Sequence, residues 1–221
     1  MVWAVLTNRL TVGAALAGGI IGTIIFIGVG WTGIVSMTAF FLMGTLATSW
    51  KKKTKQVLGL AQENTGRRTI GQVVANAGAG GLLGLFAIFF PQYSSVWLFL
   101  VACAFSSATA DTVSSELGSV YGKRFYDILS FSNGQRGLDG MISFEGTILG
   151  IAGSCIVAAI YSFAQEWNET FLWIVLAGTI GNLADSILGA TLERQGIIKN
   201  DAVNFLNTAI AVLAGYLFYP F

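Results

Sequence analysis

Ala110-Asp111-Thr112-Val113-Ser114-Ser115-Glu116-Leu117-Gly118 is the stretch on which the reading of this chain turns. It sets two carboxylates and three hydroxyls at the end of the segment Thr69–Ala110, which carries no charge at all. That segment is twice the roughly 20 apolar residues needed to cross a bilayer. Asp111 therefore falls at membrane depth, where an ionisable side chain is costly and marks function by default.

The surrounding composition agrees. Of 221 residues, 54% are apolar and only 10% charged, against about 25% charged in soluble domains. Because the apolar residues come in long runs, the chain reads as an all-α, polytopic transmembrane helical bundle. Its net charge of +1, with no basic cluster interleaved with aromatics, argues against a nucleic-acid partner. Histidine is absent, which removes the commonest general base and most zinc sites. Cys103 and Cys155 lie within apolar runs and read as small buried hydrophobes. The run after Arg9 is longer than a signal core of roughly 7–15 residues, so the N-terminal segment reads as a span.

Seven spans are expected, near 10–29, 32–50, 71–90, 96–115, 141–164, 170–190 and 202–219, within a single catalytic domain over 1–221. Gly28-Val29-Gly30-Trp31-Thr32-Gly33 is the natural reversal between the first two. With this count all 12 Lys and Arg fall on one side. The positive-inside rule makes that side cytoplasmic, or stromal in a plastid, and the orientation N-in/C-out. Glycines three to four apart, such as Gly18, Gly19 and Gly22 or Gly80, Gly81 and Gly84, read first as helix packing. A ligand groove is the other reading.

Asp185 is placed as Asp111 is, fifteen residues into its span, or roughly 22 Å across a core about 30 Å thick. Ala184-Asp185-Ser186 also echoes Ala110-Asp111-Thr112, which hints at an internal repeat. Asn76, Glu145, Asn182, Asn200, Asn204 and Asn207 are expected at the same level. Two carboxylates facing each other there would repel or shift pKa strongly, and a divalent cation resolves the conflict. Hard oxygen ligands in small number suit Mg²⁺, which binds through one or two carboxylates plus substrate phosphates. Basic residues on the same side, among them Arg67, Arg68 and Arg136, complete a parts list for phosphoryl transfer. No P-loop or protein-kinase signature occurs. The glycine-rich Gly134–Gly140 loop before span five is a plausible phosphate cradle.

Gly66-Arg67-Arg68 with Gln72-Val73-Val74-Ala75-Asn76, then Ala110-Asp111-Thr112 with Ser115-Glu116-Leu117-Gly118, form the first half of a pattern. Arg136-Gly137-Leu138-Asp139-Gly140 running to Glu145-Gly146-Thr147, then Ala184-Asp185-Ser186 and Asn200-Asp201 with Asn204 and Asn207, complete it. In this order the set resembles the integral-membrane phytyl-phosphate kinase family of tocopherol and phylloquinone synthesis. The resemblance implies an enzyme that moves the γ-phosphate of a nucleoside triphosphate, CTP preferentially, onto an isoprenyl monophosphate such as phytyl phosphate. It implies Mg²⁺ on Asp111, Glu116 and Asp185, with Glu145 assisting as a catalytic group. Arg67, Arg68 and Arg136 would neutralise phosphates, and Asn76, Ser115, Asn204 and Asn207 would orient ligands. The prenyl tail would lie between glycine-rich helices. A cation- or proton-coupled transporter, with Asp111 and Asp185 as its ion site, is the alternative from another class.

Overall fold

The computed structural model describes residues 2–60 and 67–219, so Gly66 of the Gly66-Arg67-Arg68 motif lies outside the described residues. The helices are α1 (Val2–Leu6), α2 (Val12–Ser49), α3 (Lys52–Val57), α4 (Ile70–Phe89), α5 (Ser94–Tyr121), α6 (Phe144–Gln165), α7 (Thr170–Leu188) and α8 (Asn200–Phe218). Six of them, α2 and α4 to α8, are long and apolar enough to cross a membrane. The protein is the helical polytopic membrane protein that its composition implies.

α2 is a hairpin. Its backbone leaves helical geometry at Gly30, with φ at 74°, a conformation open to glycine and strained for other residues. The chain reverses there, and the Arg9 guanidinium at one end donates to Ser49 Oγ at the other. The two arms, 12–29 and 31–49, therefore run side by side. The first arm packs closely on α4: a Cβ on Gly28 would collide with the Gly84 carbonyl, and one on Gly84 would lie 3.0 Å from Ile25 Cα. These glycines serve helix packing.

α5 is the axis of the bundle and packs against α2, α4, α6, α7 and α8. Every residue from Leu98 to Ala110 is buried, which is why this run needed no polar face. Its hydroxyls are satisfied internally, as where Ser106 Oγ donates to Ile174 O (3.1 Å) and Thr109 Oγ1 to Phe105 O (2.6 Å). α5 continues to Tyr121, six residues past the span end expected near 115, so Glu116 is in a helix rather than a loop. That extension is possible because the Glu116 carboxylate accepts from Lys55 Nζ of α3 and from Thr48 Oγ1 of α2.

Two further features were not read from sequence. Tyr126–Asp127 (β1) and Met141–Ile142 (β2) pair antiparallel between α5 and α6. After α7 the chain makes a π turn over Gly189–Glu193. A Cβ on Gly140 would collide with Ala190, so the glycine-rich loop lies directly on this turn. Arg194 fastens the two together, with Nη1 on Asp127 Oδ2 (2.8 Å) and Nη2 on Asp139 O.

Candidate active site

The ends of α5 and α7 meet the beginnings of α4, α6 and α8 around a cavity of about 680 Å³. Asp111 of α5 and Asp185 of α7 both line it, close enough for each carboxyl group to act on the other. Their equal depth, inferred from span counting, is thus a direct encounter. Asn207 sets the pair's orientation. It is fully buried, its Nδ2 donates to Asp185 Oδ1 (2.7 Å), and its Oδ1 accepts from Ser107 Oγ of α5 (3.1 Å).

The cavity also collects Arg68, Asn76, Ser115 and Asn204 from the expected set. Asn76 Nδ2 donates to Gln72 O (2.9 Å), while its Oδ1 is buried with no hydrogen-bond partner among the described residues. Asn204 donates to Asn200 Oδ1 one turn earlier on α8. The Arg68 backbone bonds to the segment before α2, with Thr11 N on Arg68 O (3.1 Å) and Arg68 N on Arg9 O (2.9 Å). This holds the guanidinium 4.9 Å from the Phe40 ring centre and against Gly44. Burial lowers its pKa to about 10, partly offset by the charge of Glu116, so it remains a cation at neutral pH.

Four expected residues lie elsewhere. Glu116 is turned to Lys55 and Thr48. Glu145 receives the Lys123 amide at 3.4 Å. Arg67 Nε donates to Leu10 O (3.1 Å), and Arg136 Nη2 donates to Gly122 O (2.8 Å) with its guanidinium over Phe125. None of the four lines the cavity. Among the described residues no group of three or more His, Cys, Asp or Glu is arranged to hold a metal ion. Asp111 and Asp185 are the pair that could hold a cation, with water or ligand oxygens completing its shell, which is the mode Mg²⁺ favours.

Other lining residues were given no role from sequence, though Asp139 and Asp201 stand in the quoted pattern. Asp139, Glu193 and Asp201 join the aspartate pair, and Lys199 joins Arg68, giving five carboxylates against two cations. Asp139 stands close enough to Asp185 and Glu193 to repel both. Asp201 sits in the first turn of α8 and Asp139 just before β2, positions that the quoted pattern already marked. Glu193 is delivered by the π turn, for which sequence carries no signal.

The helix starts matter electrostatically. Thr69 and Gln72 cap α4 as a capping box, Ser143 caps α6, and α8 begins after Lys199 without a side-chain cap. All of these residues line the cavity. Three positive helix termini thus converge on a space rich in carboxylates, a combination suited to a polyphosphate carrying a divalent cation.

Comparison with known sequences gives the family. The profile of the integral membrane protein DUF92 family matches residues 1–212. The chain belongs to this family. Within reach of this DUF92 protein, the chloroplastic protein VTE6 of Arabidopsis thaliana is 30% identical over 98% of the chain and 67% of its own length. Uncharacterized membrane proteins of Synechocystis sp. and Methanocaldococcus jannaschii are 31% and 30% identical, covering 86% and 92% of the chain and 74% and 83% of their own lengths. No solved structure matches. The DUF92 match spans both halves of the aspartate pair and all three helix starts, so the whole cavity lies inside the family's common region.

Proposed function

We propose that this DUF92 protein is a membrane kinase that transfers the γ-phosphate of a nucleoside triphosphate, CTP preferentially, to an isoprenyl monophosphate such as phytyl phosphate. One observation carries the reading. A facing aspartate pair, a buried arginine and three helix N-termini border a single cavity at the end of a transmembrane bundle. Similarity to VTE6 and the phytyl-phosphate kinase pattern in the sequence support it. The basic end of the bundle, with this cavity, is assigned to the cytoplasm or stroma.

In the reaction an oxygen of the isoprenyl monophosphate attacks the γ-phosphorus. A new P–O–P bond forms, the bond from γ-phosphorus to the β-bridging oxygen breaks, and the nucleoside diphosphate leaves with that electron pair. The attacking oxygen is already ionised, so no histidine base is required. Catalysis then rests on positioning and charge neutralisation. Arg68 holds phosphate oxygens, the uncapped start of α8 receives others, and Asn207 keeps Asp185 aimed at the cavity. Mg²⁺ held by Asp111 and Asp185 would neutralise the charge of the nucleotide phosphates.

The test is purified protein with Mg²⁺, phytyl phosphate and γ-labelled CTP. Label in the lipid product is expected, and unlabelled lipid from well-folded protein refutes the proposal. The aspartate pair also supports a second reading, a cation- or proton-coupled transporter. That reading predicts ion flux into proteoliposomes without nucleotide consumption.

A further inference from the structure

We propose that the groove between the two arms of α2 is the track for the isoprenyl chain, with its phosphate held at Arg68. The inference rests on the isoprenyl-phosphate reading above and adds where the chain lies. Two apolar cavities follow one another along the hairpin. The first, about 240 Å³, is walled by Ala14, Gly18, Met37 and Phe41 of the hairpin and by Val73 and Ala77 of α4, and Arg68 also lines it. The second, about 330 Å³, lies towards the hairpin tip between Gly19, Gly22, Phe26 and Trp31. Gly18 and Ile34 belong to both, so the two lie side by side. Arg68 in turn belongs to both the first apolar cavity and the polar one that holds the aspartate pair. One guanidinium therefore stands where an apolar track meets the phosphate-binding space.

The dimensions suit a long chain. Ten residues separate Phe41 from Trp31, about 15 Å of helix. Twenty groups the size of a water, at about 30 Å³ each in a liquid, need about 600 Å³, against cavities of about 240 and 330 Å³. Gly19 of this groove also differs from the glycines that pack helices. A Cβ added to Gly19 would meet nothing within 4 Å, whereas one on Gly28 strikes the Gly84 backbone. Leu42 and Trp31 are exposed along the same face, so the track opens sideways, where lipid would lie. Bilayer and groove are equally apolar, so entry gains little affinity. The groove acts by fixing the register that brings the phosphate to Arg68.

Gly19→Leu tests this, because it fills the outer cavity while leaving helix packing untouched. With the full chain in detergent or liposomes, kcat/KM for a C20 isoprenyl phosphate should fall about tenfold. The value for a C10 phosphate, which reaches only the inner cavity, should stay within twofold. An equal fall for both substrates, or no change for C20, overturns the inference. A C20 phosphate carrying a terminal diazirine should label residues 18–34 of the wild-type protein. Labelling elsewhere, or labelling displaced by phospholipid but not by phytyl phosphate, overturns it too. Groove labelling without phosphoryl transfer to any isoprenyl phosphate would refute the kinase reading and leave the track standing.

Discussion

Lys55→Met should destabilise the protein strongly while its double variant with Glu116→Leu should not. The Lys55 and Glu116 side chains are 2% and 7% exposed, and Lys55 Nζ also donates to Ala47 O (2.7 Å). Removing one partner of such a buried pair costs about 3–5 kcal/mol, because a carboxylate is left in apolar surroundings without its ammonium. Replacing both by apolar groups of similar volume is often neutral. At about 2–4 °C per kcal/mol for a chain of this size, Lys55→Met should lower the unfolding midpoint by roughly 10 °C, and the double variant should return close to wild type. Thermal unfolding of the purified protein in one detergent, over the full double-mutant cycle, measures the coupling. The experiment also decides between two roles for Glu116. As a metal ligand it would make Glu116→Gln raise the Mg²⁺ concentration needed for turnover while Lys55→Met left stability unchanged. That pair of results would refute the structural role of Glu116.

Asp111→Asn and Asp185→Asn should each abolish transfer of label from γ-labelled CTP to phytyl phosphate, with membrane insertion unchanged by fractionation; retained turnover in both would remove the pair from the reaction. Asn207→Ala should reduce turnover roughly 10- to 100-fold, the usual effect of losing a group that orients a metal-binding carboxylate, with the larger change in kcat. Gly30→Val should destabilise the hairpin by about 1–3 kcal/mol, since a β-branched residue is strained at that φ. A disulfide trapped between cysteines at positions 22 and 37 should then form more slowly. The Arg194 hydrogen bond, followed by the Ser130 amide, holds the Asp127 carboxyl below the usual carboxylate range. A depressed carboxylate contributes stability that is complete above its unfolded pKa of about 4 and lost as pH falls through the lower folded value. The Ile128 amide, bonded to Gly140 O at 3.1 Å, should lose exchange protection in that acidic window, and Arg194→Gln should abolish the transition.

The long-range layout was written in hydropathy. Charge-free runs mark the helices, Gly28–Gly33 marks the reversal, and matched positions in two spans brought Asp111 and Asp185 together before any coordinates. Asn204 and Asn207 were likewise legible from their spacing on one helix face. What failed was the direction of side chains near helix ends. Glu116 follows Asp111 by five residues, which turns it to a different face of α5, toward α3. Arg67 and Arg68 are neighbours in sequence, yet the strand-like bridge to Leu10 sends only the second into the cavity. The π turn and the β1–β2 pair depend on tertiary contacts between Gly140, Ala190 and Arg194, so no local pattern announces them. Glycine clusters look alike in sequence, and only coordinates separate Gly28, which packs a helix, from Gly19, which faces open space.

The three helix starts around the cavity carry a lesson for genetics. Part of what would hold a phosphate there comes from peptide groups that every amino acid except proline supplies. A residue-by-residue replacement scan would leave that contribution standing and would credit the site to a handful of side chains. Proline placed at Asn204, inside the α8 turn that opens the cavity, would disturb it, whereas alanine at the same place would not. Relatives could therefore diverge widely around this rim and still present the same peptide groups, because that part of the site is spelled by helix boundaries rather than by residue names.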